Sequence, residues 1–234
     1  MQAVVPAAGE GTRLRPLTED TPKALIEVAG RPILVHCFER LTELGVEELI
    51  VVVGYGGERI VERCGESFDG VPISYVEQEE QRGLAHAIAQ AEPRVEGPFF
   101  TMNGDNVLRG NLEEVAERFS RDDVDGVLLV DEVSETEARH TGVIDLAADG
   151  TVRSIVEKPE NPPSRLVTTG FTALPPETIE ACQRIEPSGR DEYELADALT
   201  LLVEEGARIE TVALDGWRVN VNTPADVERA ETLL

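Results

Sequence analysis

Lysine is nearly absent. Lys23 and Lys158 are the only two in 234 residues, and the other 19 basic residues are arginines set against 46 acids. Lysine is ordinarily among the commonest residues, so the two that were kept stand out. Cysteine is also scarce. Cys37, Cys64 and Cys182 make an odd count, with no Cys-x-x-Cys and no histidine at metal-ligand spacing. They read as buried free thiols, which excludes a disulfide framework and a cysteine-based metal centre. Histidine occurs three times, scattered, and no Ser-His-Asp or Cys-His constellation emerges. No apolar run approaches the ~18 residues that cross a bilayer. No basic-flanked leader precedes the strand-like opening at Gln2–Pro6. A cytoplasmic protein without a membrane partner is the expectation. The formal net charge of −25 excludes nucleic acid as a partner, because binding its phosphates takes a basic surface.

The acids are spread along the chain and not gathered in a tail. Such a surface suits a salt-loaded cytoplasm, where the Debye length shrinks to roughly 3 Å at 1 M salt and self-repulsion is screened. The expectation is a halophilic protein.

An apolar fraction of 41% supplies a core, and the length suits one α/β domain. Short apolar runs at 3–5, 49–53, 73–76, 99–102 and 126–130 read as strands. Between them, 33–44, 58–64, 84–91 and 112–119 read as amphipathic helices. Pro32 suits a first helical turn and Gly45 a helix end. Further on, strands at 142–146 and 152–157 flank Asp149-Gly150, a hairpin turn. A strand over 167–173 follows, then helices at 177–184 and 193–205, a strand at 208–214 and a last helix from Pro224. The alternation predicts a three-layer, Rossmann-like α/β/α domain. Its sheet is mixed and mostly parallel, with an antiparallel patch in the second half.

Five segments carry candidate chemistry. Ala8-Gly9-Glu10-Gly11-Thr12-Arg13-Leu14 follows the first strand, and Pro22-Lys23 follows that. Glycines there let backbone N–H groups approach phosphate oxygens. Arg13 adds a planar donor fork and Lys23 a mobile point charge. The loop is neither a Walker A loop nor a dinucleotide fingerprint. The second segment holds Gln78, whose amide can both donate and accept, and Gly83-Leu84-Ala85-His86; His86 reads as a helix-face residue. The third is an apolar strand ending in Asn103-Gly104-Asp105, which puts a carboxylate at the carboxyl edge of the sheet, where open α/β folds bind ligands. The fourth is Glu157-Lys158-Pro159, with Gly142 upstream and Thr168-Thr169-Gly170 downstream. The fifth is Trp217-Arg218-Val219-Asn220-Val221-Asn222-Thr223-Pro224, in which Trp217 reads as a packing residue.

Gly9 to Leu14 with Pro22-Lys23 resembles the signature loop of the sugar-1-phosphate nucleotidylyltransferases, and the resemblance runs along nearly the whole chain. It is nearest to the glucose-1-phosphate thymidylyl- and uridylyltransferases. It implies that Ala8, Gly9, Gly11 and Thr12 wrap a nucleoside triphosphate, and that Arg13 and Lys23 meet its phosphates at the reacting centre. It implies that Gln78 and Gly83 read uracil or thymine. Asp105 would hold catalytic Mg²⁺, with Asn220 standing where relatives usually carry a second aspartate ligand. Gly142, Glu157, Thr169 and Glu194 would line the sugar pocket, and Lys158 would hold the sugar's phosphate. The resemblance divides the domain into a nucleotide half, 1–125, and a sugar-phosphate half, 126–234. The implied reaction takes UTP or dTTP and a hexose 1-phosphate, foremost glucose 1-phosphate, to nucleotide-sugar and pyrophosphate. Two alternatives stay open: an N-acetylglucosamine-1-phosphate uridylyltransferase, and an inactive relative that binds nucleotide-sugar and regulates a partner. The last helix starts at Pro224 and the chain stops at Leu234, short of the C-terminal helices that some thymidylyltransferases use in tetramers. A homo-oligomer stays open.

Overall fold

Ala3, Val4 and Val5 are consecutive and apolar, so the first strand needs cover on both faces. The computed structural model, which describes residues 1–234, supplies that cover. The strands, in chain order, are β1 (Gln2–Pro6), β2 (Glu27–Val28), β3 (Arg31–Pro32), β4 (Glu48–Val53), β5 (Ser67–Phe68), β6 (Val71–Glu77) and β7 (Phe99–Met102). They continue with β8 (Asn106–Arg109), β9 (Gly126–Glu132), β10 (Gly142–Leu146), β11 (Val152–Glu157), β12 (Leu166–Leu174), β13 (Ile209–Ala213) and β14 (Trp217–Asn220). The helices are α1 (Ile33–Glu43), α2 (Gly57–Cys64), α3 (Leu84–Gln90), α4 (Leu112–Phe119), α5 (Glu135–Ala138), α6 (Glu177–Arg184), α7 (Leu195–Glu204) and α8 (Pro224–Leu233).

Strand alternation sorts the layers. Ala3 and Val5 of β1, with Leu49, Val51 and Val53 of β4, pack under α1, α2 and α4 through Phe38, Ile60 and Val115. Val4, Ile50 and Val52 face the other way, onto Ile88 of α3, Ile179 of α6 and Leu199 of α7. The expected three layers are therefore present. In the middle of the sheet β7, β1, β4 and β6 are parallel. Beyond β7 the sheet turns antiparallel through β12, which pairs with β9, β10 and β7.

The sheet forks at β12. Its second half, Phe171–Leu174, pairs with β7, whereas Val167 near its start pairs with β10. The ladder to β9 shifts register between Thr168 and Thr172. Gly170 sits at this irregularity with φ +85°, and a Cβ there would lie 2.3 Å from Asn106 Nδ2. Only glycine lets β12 bend here against the chain that leaves β7. The gap so opened, between the end of β7 and the start of β10, is where the cavity described below lies.

Several elements differ from the sequence expectation. β8 and β14 form a separate antiparallel pair, Asn106 to Asn220 through Arg109 to Trp217, that neither segment announces on its own. Each carries too few apolar residues to register as a strand without its distant partner. The helix expected from residue 193 begins at Leu195, with Glu194 as its N-cap. The short α5, β2, β3 and β5 were not expected. α8 packs on a smaller core of its own, made with Leu14, Ile26, Val28, Val219 and Val221. The three thiols are free; Cys37 and Cys182 are buried and Cys64 is half-buried. No helix is long and apolar enough to cross a membrane.

Candidate active site

The turn after β7 carries Asp105 and is anchored on three sides. Asn103 N donates to Gly170 O (2.9 Å), and Asn106 Nδ2 donates to Thr169 O (2.8 Å), tying it to the bulge of β12. Val221 N, just past β14, donates to Asp105 O (2.9 Å). From below, the Cys37 thiol of α1 donates to Asn106 O (3.2 Å). Burial, and next the charge of Asp105, push that thiol's pKa far above its usual range, so it stays a neutral donor.

Lys23 reaches Asp105 from the loop after β1. Its Nζ donates to Asp105 Oδ2 at 2.6 Å and to Asn222 Oδ1 at 2.9 Å, and the lysine side chain is 12% exposed. Gly11 makes the approach feasible. At φ +64°, a Cβ there would stand 2.8 Å from Lys23 Cβ. Arg13, at the exposed rim, donates through Nη2 to the same Asn222 Oδ1 (2.9 Å). Asn222 is fixed in turn, its N donating to Asp226 Oδ2 (3.0 Å) within the capping box that starts α8. One amide oxygen thus gathers Arg13 and Lys23.

A cavity of about 400 Å³ opens between these groups and the fork of the sheet. Such a volume suits a small organic ligand. Ala8, Gly9, Lys23 and Asp105 line one part of it, Gln78 and Gly83 another, and Gly142, Glu157, Lys158 and Glu194 a third. Lys158 Nζ lies 3.2 Å from Glu157 Oε1. The backbone at Lys158 is left-handed, φ +47°, with its N–H donating to Thr141 O (3.0 Å). Glu157 has its pKa raised, mainly by burial, with the neighbouring Lys158 pulling the other way and Glu194 adding to the rise. Glu194 is buried and accepts from Arg190 Nη2 (2.7 Å) and Ser188 Oγ (3.1 Å).

Five expected residues do not line the cavity: Gly11, Thr12, Arg13, Thr169 and Asn220. Gly11 and Arg13 act through Lys23 and Asn222, as described, and Thr12 is exposed at the rim. Thr169 turns its hydroxyl into the sheet, where Oγ1 donates to Leu129 O (2.8 Å). Its neighbours Thr168 and Gly170 line the cavity instead, with Thr172, because alternation along β12 puts the even-numbered residues on that face and Thr169 on the other. The Asn220 side chain is exposed and makes no hydrogen bond; its backbone carbonyl accepts from Asn222 Nδ2 at 3.4 Å. Asn222 was the residue missed. It sits two positions on, past the end of β14 and next to the cap of α8, and the only signal was its place within Asn-Val-Asn-Thr-Pro. Gln81, Asn103 and Glu192 also line the cavity.

The chain has 47% identity over 234 residues with the UTP–glucose-1-phosphate uridylyltransferase AglF of Haloferax volcanii, covering 100% of this chain and 96% of that one. It has 35% identity with the low-salt glycan biosynthesis nucleotidyltransferase Agl11 of the same organism, of which it spans 66%. A solved structure of UDP-glucose pyrophosphorylase complexed with UDP-glucose superimposes with a TM-score of 0.89 at 24% identity, covering 99% of this chain and 97% of that one. The sequence model for nucleotidyl transferases matches residues 2–221, and the chain belongs to that nucleotidyl transferase family.

Proposed function

We propose that the chain transfers a uridylyl group from UTP to glucose 1-phosphate, giving UDP-glucose and pyrophosphate, with dTTP as the alternative nucleotide. The observation that carries this reading is that Lys23 and Lys158, from remote parts of the sequence, line one cavity together with Asp105, Gln78 and Glu157. The near-full-length similarity to AglF supports it.

The reaction needs little proton chemistry. A sugar 1-phosphate oxygen, ionised at neutral pH, attacks the α-phosphorus. The bond from that phosphorus to its bridging oxygen breaks, and pyrophosphate leaves with the electron pair. The obstacle is the repulsion between two anions, so the protein's work is positioning and charge neutralisation. In this reading Lys23 neutralises the triphosphate and Lys158 the sugar phosphate. Glu157 and Glu194 accept hydrogen bonds from sugar hydroxyls.

Asp105 fits Mg²⁺. Its Oδ1 is buried with no hydrogen-bond partner, as is Asn103 Oδ1 in the same turn. One carboxylate plus substrate phosphates is a usual Mg²⁺ arrangement. Asp105 would hold the ion; Asn220, the second expected ligand, has its side chain exposed and outside the cavity lining. When bound, the ion supplies Lewis-acid stabilisation of phosphate charge.

The test is pyrophosphate release from UTP, dTTP, CTP or ATP, each with glucose 1-phosphate or N-acetylglucosamine 1-phosphate, with and without Mg²⁺. Release with UTP or dTTP and glucose 1-phosphate is the expected result, and loss of that release in Asp105→Ala ties it to this site. Binding of UDP-glucose without release under any pairing overturns the enzyme reading.

The acid excess carries a separate expectation, that the protein is halophilic. Raising KCl from about 0.1 M to about 1 M shortens the Debye length from ~10 to ~3 Å. Self-repulsion among the acids then fades, and thermal melts should show Tm rising across that range. A flat Tm contradicts adaptation to salt.

A further inference from the structure

His86 makes a contact that the reaction as described leaves unused. Gln78 is 3% exposed, and its Nε2 lies 3.3 Å from Gly83 O and 2.8 Å from His86 Nδ1. A backbone carbonyl only accepts, so the Gln78 atom facing Gly83 O is the amide nitrogen. The same nitrogen faces His86 Nδ1, and two donors cannot face each other. Nδ1 must therefore be the unprotonated, accepting nitrogen of a neutral ring. Burial, and next the Arg82 guanidinium, lower the pKa of His86, while Glu80 pulls it back up. The ring is held by its surroundings. Tyr193 lies 6.2 Å from it, centroid to centroid, and is itself pinned by Arg82, whose guanidinium stands 4.8 Å above the tyrosine ring. The Gln90 amide nitrogen donates to the His86 backbone carbonyl (3.3 Å) and stands 3.4 Å from Nε2, so the much shorter Gln78 contact at Nδ1 decides which ring nitrogen is unprotonated.

With both N–H bonds of Gln78 used, its Oε1 is left over. That oxygen has no hydrogen-bond partner and is not among the buried unpartnered atoms, and Gln78 lines the cavity. A glutamine free to turn its amide would present either a donor or an acceptor. This one is held to an acceptor.

We propose that His86 is a positioning residue that locks the Gln78 amide so that only its carbonyl oxygen faces the base, selecting a ring that donates at that point, as N3–H of uracil or thymine does. The proposal rests on the reading that Gln78 meets the nucleotide base. Cytosine carries an acceptor at N3, so the locked amide disfavours it, and an unlocked one would rotate to suit it.

The experiment is steady-state kinetics with UTP and CTP, with glucose 1-phosphate, on the full chain carrying His86→Ala, His86→Asn or Gln78→Ala. A single neutral hydrogen bond is worth about 0.5–1.5 kcal/mol, so the KM for UTP in His86→Ala should rise by roughly 3- to 10-fold while kcat stays within about twofold. The preference for UTP over CTP should fall by a similar factor. His86→Asn, which offers an oxygen near the place of Nδ1, should recover most of both. If His86→Ala leaves KM and preference unchanged while Gln78→Ala raises KM, the lock is overturned and the base reading stands. If Gln78→Ala is silent as well, both are overturned. If His86→Asn is as impaired as His86→Ala, the ring is only filling space and the lock is again overturned.

Discussion

Lys23→Ala should lower kcat by at least a hundredfold without unfolding the protein. One preorganised donor at a charge-developing site is typically worth about 3 kcal/mol, which is roughly that factor. The effect should sit at the upper end here. Lys23 is mostly buried and its charge is shared between Asp105 and Asn222. Its removal therefore takes away the cation and also releases Asp105 and the Asn222–Arg13 contact. Lys23→Arg should not rescue. The guanidinium is larger than the ammonium, and Gly11 already packs against the lysine stem with no space for a methyl group. The loss should appear in kcat with a smaller change in KM for the nucleotide, since the contact strengthens as charge develops. Circular dichroism and Tm near those of the parent chain confirm that folding is intact. Unchanged turnover removes Lys23 from the mechanism.

The contrast between Lys23 and Asn222 shows which parts of the site the sequence discloses. Lys23 and Asp105 are 82 residues apart, yet each lies in a local string whose glycines and apolar strand mark it as chemistry. Asn222 is 199 residues from Lys23, and nothing local distinguishes its amide from that of Asn220. Asn220 ends β14 opposite Asn106, while Asn222 lies past the strand and is fixed by Asp226 at the start of α8, and neither the strand's end nor its pairing is visible in its composition. Thr169 illustrates the same limit within one strand. Alternation through 166–174 puts Thr168, Gly170 and Thr172 on the cavity face and Thr169 on the other, and the strand's own composition does not say which face meets the cavity. The three layers were legible, because consecutive apolar residues in β1 and β4 demand cover on both faces. The Gln78–His86 contact was not. A glutamine and a histidine eight residues apart, on a loop and the helix that follows it, carry no common pattern.

Lys158→Ala should impair use of the sugar phosphate by about a hundredfold in kcat/KM while leaving stability nearly unchanged. Lys158 occupies the left-handed region at φ +47°, where side chains with a Cβ cost roughly 1–2 kcal/mol. Alanine bears the same strain, so the substitution relieves none and adds none. Lys158→Gly removes the strain but loosens the unfolded chain, and the two effects partly offset each other. It should be at least as stable as the alanine variant and equally impaired. Such a pair of variants separates backbone strain from charge: the strain aims the lysine into the cavity, and the charge binds phosphate. Lys158→Arg should also be impaired, since a longer planar group replaces a point charge. The neighbour provides an independent check. Lys158 is the main influence holding down the pKa of the half-buried Glu157, which burial already raises. Without Lys158 that pKa rises further. A group whose folded-state pKa is raised stabilises the protein below its unfolded value, about 4.3, and loses that contribution as pH climbs through the folded value. Any destabilisation of Lys158→Ala should therefore be larger at neutral pH than near pH 4. Normal sugar-phosphate kinetics in all three variants would leave the second of the two lysines without a function, and its survival on a surface otherwise cleared of lysine a coincidence.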